Sequence, residues 1–98
     1  MVRVAVDREG IAAFCRRNHI RRLAFFGSVL RPDFRPESDV DVLVEFESGH
    51  TPGLRFFTME RELSEIMGRN VDLNTAGFLS PDFRDQALKD AEVQYDAP

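Results

Sequence analysis

The chain has 98 residues, 43% of them hydrophobic and 31% charged, with nine phenylalanines. That balance argues against disorder and suits one compact domain over residues 1–98 with a modest core. Thirteen Lys and Arg against seventeen Asp and Glu leave a net charge of -4, which argues against general nucleic-acid binding driven by phosphate neutralisation.

Only Lys89 is a lysine, so the positive charge sits mostly on planar guanidinium forks suited to phosphate or carboxylate, although genomic arginine usage alone could produce this. The single cysteine, Cys15, excludes an internal disulfide and is consistent with a reducing compartment. The opening MVRVAVDREG lacks the apolar region of a signal peptide, and no run reaches membrane-spanning length. A cytoplasmic protein without a membrane segment is therefore expected.

From Asp7 to about Asn18, Ile11, Phe14 and Cys15 recur at i, i+3 and i+4, which predicts a helix with Asp7 as its N-cap. Cys15 falls on the apolar face and reads as a structural thiol rather than a nucleophile. His19 reads as a residue at the helix end rather than a ligand. The apolar run Ile20 to Phe26 predicts a strand that delivers the chain into Gly27-Ser28. Pro32 and Pro36 then limit any helix to a short turn and impose an irregular loop.

Alternation is clear from Asp39 to Phe46. Val40, Val42, Val44 and Phe46 share a core face, and Asp39, Asp41, Leu43 and Glu45 share the other. Two carboxylates two residues apart on one strand face repel unless something positive lies between them. After a loop holding His50, which reads as a surface residue, Phe56, Leu63, Ile66 and Met67 mark the inner face of a helix ending at Gly68. Glu60, Arg61, Glu62 and Glu65 are expected to solvate its outside.

A short strand over Asn70 to Asn74 places Val71 and Leu73 on one side and Asp72 on the other. Ser80-Pro81 opens a last helix running to about Ala91, and Val93 and Tyr95 fit a final edge strand.

Chemistry concentrates in residues 25–46, FFGSVLRPDFRPESDVDVLVEF. Gly27 lets backbone approach a ligand, and Ser28 offers a hydroxyl and an N–H where an anion such as phosphate is favoured, although a Gly-Ser pair alone is an ordinary turn. Asp39 and Asp41 can share a hard cation such as Mg2+, and Asp72 brings the carboxylates to the three that a two-metal site wants.

Gly27-Ser28, ten residues, then Asp39-Val40-Asp41 resembles the GSx10DxD signature of the nucleotidyltransferase superfamily with the DNA polymerase beta-like fold. The longer stretch, with NVDLNT and LSPDFRDQALKDAEVQYDA, is similar to the minimal nucleotidyltransferases, the MNT or MntA-like antitoxins encoded beside HEPN-domain toxins. The resemblance covers most of the chain from about Leu23.

It implies an α+β fold with a small mixed sheet flanked by helices, and two Mg2+ ions on Asp39 and Asp41. Asp72 would be the third carboxylate, ligating the catalytic metal and helping to deprotonate the acceptor. Gly27 and Ser28 would hold the triphosphate, and Arg31 would contact phosphate, although it reads equally well as a surface or fold-supporting residue.

The implied reaction moves AMP from ATP to a tyrosine of a cognate HEPN toxin and silences it. Val29 and Pro32 depart from the family pattern, which puts the loop shape in question, while all three carboxylates are present. One small domain has little surface to enclose both nucleotide and acceptor, so a protein acceptor is expected. The alternatives are an antitoxin that binds and masks without catalysis, or transfer to RNA or a small molecule. Nucleotide preference, homo-oligomer formation and the partner interface stay open.

Overall fold

The computed structural model describes residues 6–30, 35, 38–75 and 89–97. Helix α1 (Arg8–Arg17) begins where expected, because the Asp7 carboxylate accepts the Gly10 N–H at 3.0 Å and satisfies one of the free donors of the first turn. Its buried face is Ile11, Phe14 and Cys15. Strand β1 (Ile20–Phe26) follows, then a single 3₁₀ turn over Gly27–Leu30. Strand β2 (Val40–Phe46), helix α2 (Arg55–Met67), strand β3 (Val71–Thr75) and strand β4 (Glu92–Asp96) complete the order. Lys89 and Asp90 are helical, and the rest of the helix expected from Ser80 lies outside the described residues.

The four strands form one mixed sheet in the order β3-β2-β1-β4. Strand β1 is antiparallel to both β2 and β4, whereas β2 and β3 run parallel, joined by α2 as a crossover. This is the expected α+β arrangement of a small mixed sheet with helices against it.

The valine face of β2 belongs to the core: Val40, Val42 and Val44 are buried against Phe14, Phe25, Phe56 and Leu63. Met59 is buried as well, joining the stripe on α2 that periodicity draws through Phe56, Leu63, Ile66 and Met67. The last two are only partly buried at its margin. Gly68 ends α2 with φ 70°, a left-handed conformation in which its N–H reaches the Ser64 carbonyl at 2.9 Å.

Two contacts fix α1 against α2. Buried Asn18 donates to the Phe14 carbonyl at 2.9 Å while its own side-chain oxygen accepts from Arg55 at 2.9 Å. Arg17 reaches Glu62 at 2.9 Å on the surface, a pair of small net worth. The opposite face of the sheet carries a second small apolar patch of Phe26 and Leu43, with Ala91 against it. Toward one end of that face Arg22 links Glu45 at 3.3 Å and Asp96 at 3.6 Å across three strands.

Leu63 has no exposed surface and Leu54 is 85% exposed. Leu63→Ala is expected to lower unfolding free energy by about 2–5 kcal/mol in urea titrations. Leu54→Ala should change it by no more than about 0.5 kcal/mol.

Candidate active site

The site begins with a register. In the parallel pair, Val40 lies beside Val71, Asp41 beside Asp72 and Val42 beside Leu73. Directly opposed residues of neighbouring strands point to the same face, so Asp41 and Asp72 stand next to each other on the face away from the core. Asp39 precedes β2 by one residue, is exposed, and lines a cleft of about 480 Å³ together with Asp72, Glu60 and Arg61.

On the other flank of β2, Phe26 pairs with Asp41, which brings the following turn against the same carboxylate. Gly27 has φ 73°, and a Cβ placed there would collide with the Asp41 carboxylate. The left-handed backbone favours glycine, and a side chain there would also have to push the Asp41 carboxylate aside. The result is a carboxylate seated on bare main chain at the start of a 3₁₀ turn. Val29, in that turn, is fully buried in the core, so the hydrophobic residue at this departure from the family pattern anchors the turn from beneath.

Strand β3 is an edge strand, and its outward-facing amides would lack partners. Helix α2 supplies them: the Ser64 hydroxyl accepts the Val71 N–H at 3.1 Å, and the Glu60 carboxylate accepts the Leu73 N–H at 2.8 Å. Ser64 in turn donates to the Glu60 carbonyl at 2.9 Å. Glu60 is therefore half-buried and structural, not one more solvated residue on the outside of α2. Its spacing of four residues from Ser64 matches two outward N–H groups two residues apart on the strand. The two bonds bracket Asp72 and fix the backbone that carries it.

Three carboxylates line this face, a donor set of hard oxygens suited to divalent cations. They form a row and do not converge on one point. Among the described residues, the only His, Cys, Asp or Glu trio with ligand atoms all within 4.8 Å of one another is His19, Glu47 and His50, elsewhere in the fold. Of the other expected site residues, Arg31 and the Ser28 side chain lie outside the described residues, as does Pro32.

Cys15 takes no part in this face. It is buried beneath the sheet, and burial pushes its thiol up to about 12, against a weaker opposing pull from Arg16. It should resist a thiol-specific disulfide reagent at pH 8 in the folded chain and react fully in denaturant. Between pH 9 and 12 the unfolded chain releases a proton that the folded chain keeps, so stability should fall as pH rises through that window.

The model of the nucleotidyltransferase domain family matches residues 8–93. A protein of Methanocaldococcus jannaschii named "Putative protein adenylyltransferase" is 35% identical over 72 residues, covering 74% of this chain and 76% of that one. A solved "putative minimal nucleotidyltransferase" is 36% identical with a TM-score of 0.72, covering 87% of this chain and 86% of that one. A chain from the solved structure of a tri-AMPylated Shewanella oneidensis HEPN toxin in complex with an MNT antitoxin superposes with a TM-score of 0.67, covering 92% and 70%. At 17% identity, that superposition shows a shared fold alone.

Gly27 and Gly49 both have positive φ, but nothing lies within 4 Å of a Cβ built at Gly49. Gly27→Ala should therefore cost clearly more than the roughly 1 kcal/mol expected of Gly49→Ala, measured by urea denaturation. Equal costs would mean that the Asp41 carboxylate is not seated on the turn.

Proposed function

Starting from the premise that the chain belongs to the nucleotidyltransferase domain family and is an enzyme, we propose that it transfers AMP from ATP to a tyrosine hydroxyl of a HEPN-type toxin, with Mg2+, and so acts as its antitoxin. The observation that carries this reading is the register of Asp41 beside Asp72, with Gly27 pressed against Asp41. The relative named as a protein adenylyltransferase supports adenylyl transfer, and the fold shared with an MNT antitoxin in complex with an AMPylated HEPN toxin supports the acceptor.

In this reading Asp39 and Asp41 would jointly hold the cations and Asp72 would complete the set, since exposed Asp39 and Asp72 flank a half-buried Asp41 that rests on bare main chain, and such hard oxygens suit Mg2+. When bound, Mg2+ neutralises the triphosphate and steadies the attacking and leaving oxygens. The Gly27 main chain would meet the triphosphate beside the Asp41 carboxylate that rests on it, at the start of a helical turn. The proposed phosphate contacts from Ser28 and Arg31 extend that cradle. The tyrosine oxygen forms a bond to the α-phosphorus as the bond to pyrophosphate breaks, and Asp72 would help remove the hydroxyl proton. Most of the rate enhancement then comes from position and charge neutralisation.

The test is incubation of the full chain with the toxin, Mg2+ and ATP labelled at the α-phosphate. Label should appear on the toxin, and Asp39→Asn, Asp41→Asn and Asp72→Asn should each reduce its rate by about 100-fold or more. Neutralisation of the toxin that survives all three changes without label would establish masking by binding. Label on RNA or on a small molecule, with none on the toxin, would reassign the acceptor.

A further inference from the structure

The chain contains two histidines, His19 and His50, far apart in sequence and both outside the site described above. Antiparallel pairing of β1 with β2 sets the start of one beside the end of the other, with Ile20 against Phe46. His19 immediately precedes that pair, and Glu47 immediately follows it. Main-chain bonds then tie the three residues together: the Glu47 N–H donates to the His19 carbonyl at 2.8 Å, and the His50 N–H donates to the Glu47 carbonyl at 3.0 Å.

Their side chains gather on the surface. The imidazole rings stack with centroids 4.0 Å apart and planes 16° from parallel, and a Glu47 oxygen lies 3.9 Å from His19 Nδ1. One ligand atom from each of the three falls within 4.8 Å of the others, and all three residues are exposed. His19 is the one described non-glycine residue with positive φ, at 55°.

We propose that His19, Glu47 and His50 form a binding site for a borderline divalent cation of the Zn2+ class. Two neutral imidazole nitrogens and one carboxylate oxygen are the donors such ions select, whereas Mg2+ prefers oxygen alone. Tetrahedral ligation needs the donor atoms about 3.3 Å apart, given metal–nitrogen bonds of about 2.0–2.1 Å. Exposed side chains reach that spacing by small rotations, and the fixed main chain limits the ordering that binding costs. The seven-residue strands separate this trio from the carboxylate face by roughly 20 Å, so the two cation sites would fill independently. The softer ion is selected at one end of the sheet and the harder ion at the other.

Tag-free full-length chain, stripped with chelator, is titrated with ZnCl2 by calorimetry in excess Mg2+, while the histidine side-chain resonances are followed by NMR. One equivalent should bind and shift both imidazoles. Glu47→Gln and His50→Ala should each weaken binding at least about tenfold, a loss of about 1.4 kcal/mol. His19→Asn, which tolerates the left-handed backbone, combined with His50→Ala should abolish it. The Asp39→Asn, Asp41→Asn double variant should retain it. Unshifted imidazoles at saturating Zn2+, undiminished affinity in the double histidine variant, or loss of binding in the double aspartate variant would overturn the assignment.

Discussion

The parallel pairing of β2 with β3 is the constraint on which the site depends. Nothing local in the sequence brings Asp41 and Asp72 together; a crossover through α2 does, and the strand register then decides which residues meet. A slip of one residue would turn Asp72 toward the core and Val71 toward water. The valines of β2 and the Val71 and Leu73 side chains resist that slip because both sets belong to the same buried cluster. Ser64 and Glu60 resist it again from α2, since each accepts a particular outward amide of β3.

One face of the sheet therefore supports what the other face would not choose. The carboxylate row stands on strands held from the other side by a core in which Phe14, Phe25, Val42 and Leu63 have no exposed surface. The fit of Gly27 against Asp41 narrows the arrangement further, because the left-handed backbone disfavours a side chain there and any side chain would displace the Asp41 carboxylate. Hydrophobic packing sets the position of the strands, and the polar row takes its place from that packing.

Periodicity made most of this legible. Helix α1 with its Asp7 cap, strand β1 to its observed ends, the two faces of β2, and the glycine end of α2 all follow from local patterns with a single dominant cause. The edge strand over Val93 and Tyr95 was also readable, and it pairs with β1. What could not be read were the relations between elements. Glu60 has the sequence signature of a solvated helix residue, and only the proximity of an edge strand gives its carboxylate an amide to accept. Met59 sits one turn after Phe56 and one before Leu63, and a methionine in that gap carries too weak a signal to be separated from surface. His19 and His50 each look isolated because strand pairing, not spacing, brings them together.

The treatment of β3 also bears on how other chains can approach. An edge strand with free outward amides invites another strand to add to the sheet. Here the Val71 and Leu73 amides are already engaged by α2 side chains, so that border offers a newcomer little to pair with. The same two bonds that fix the carboxylate-bearing backbone thus guard the β3 margin of the sheet against self-association. A partner arriving there must be received through side chains, along the groove where Phe57 is two-thirds exposed, and not by extending the sheet.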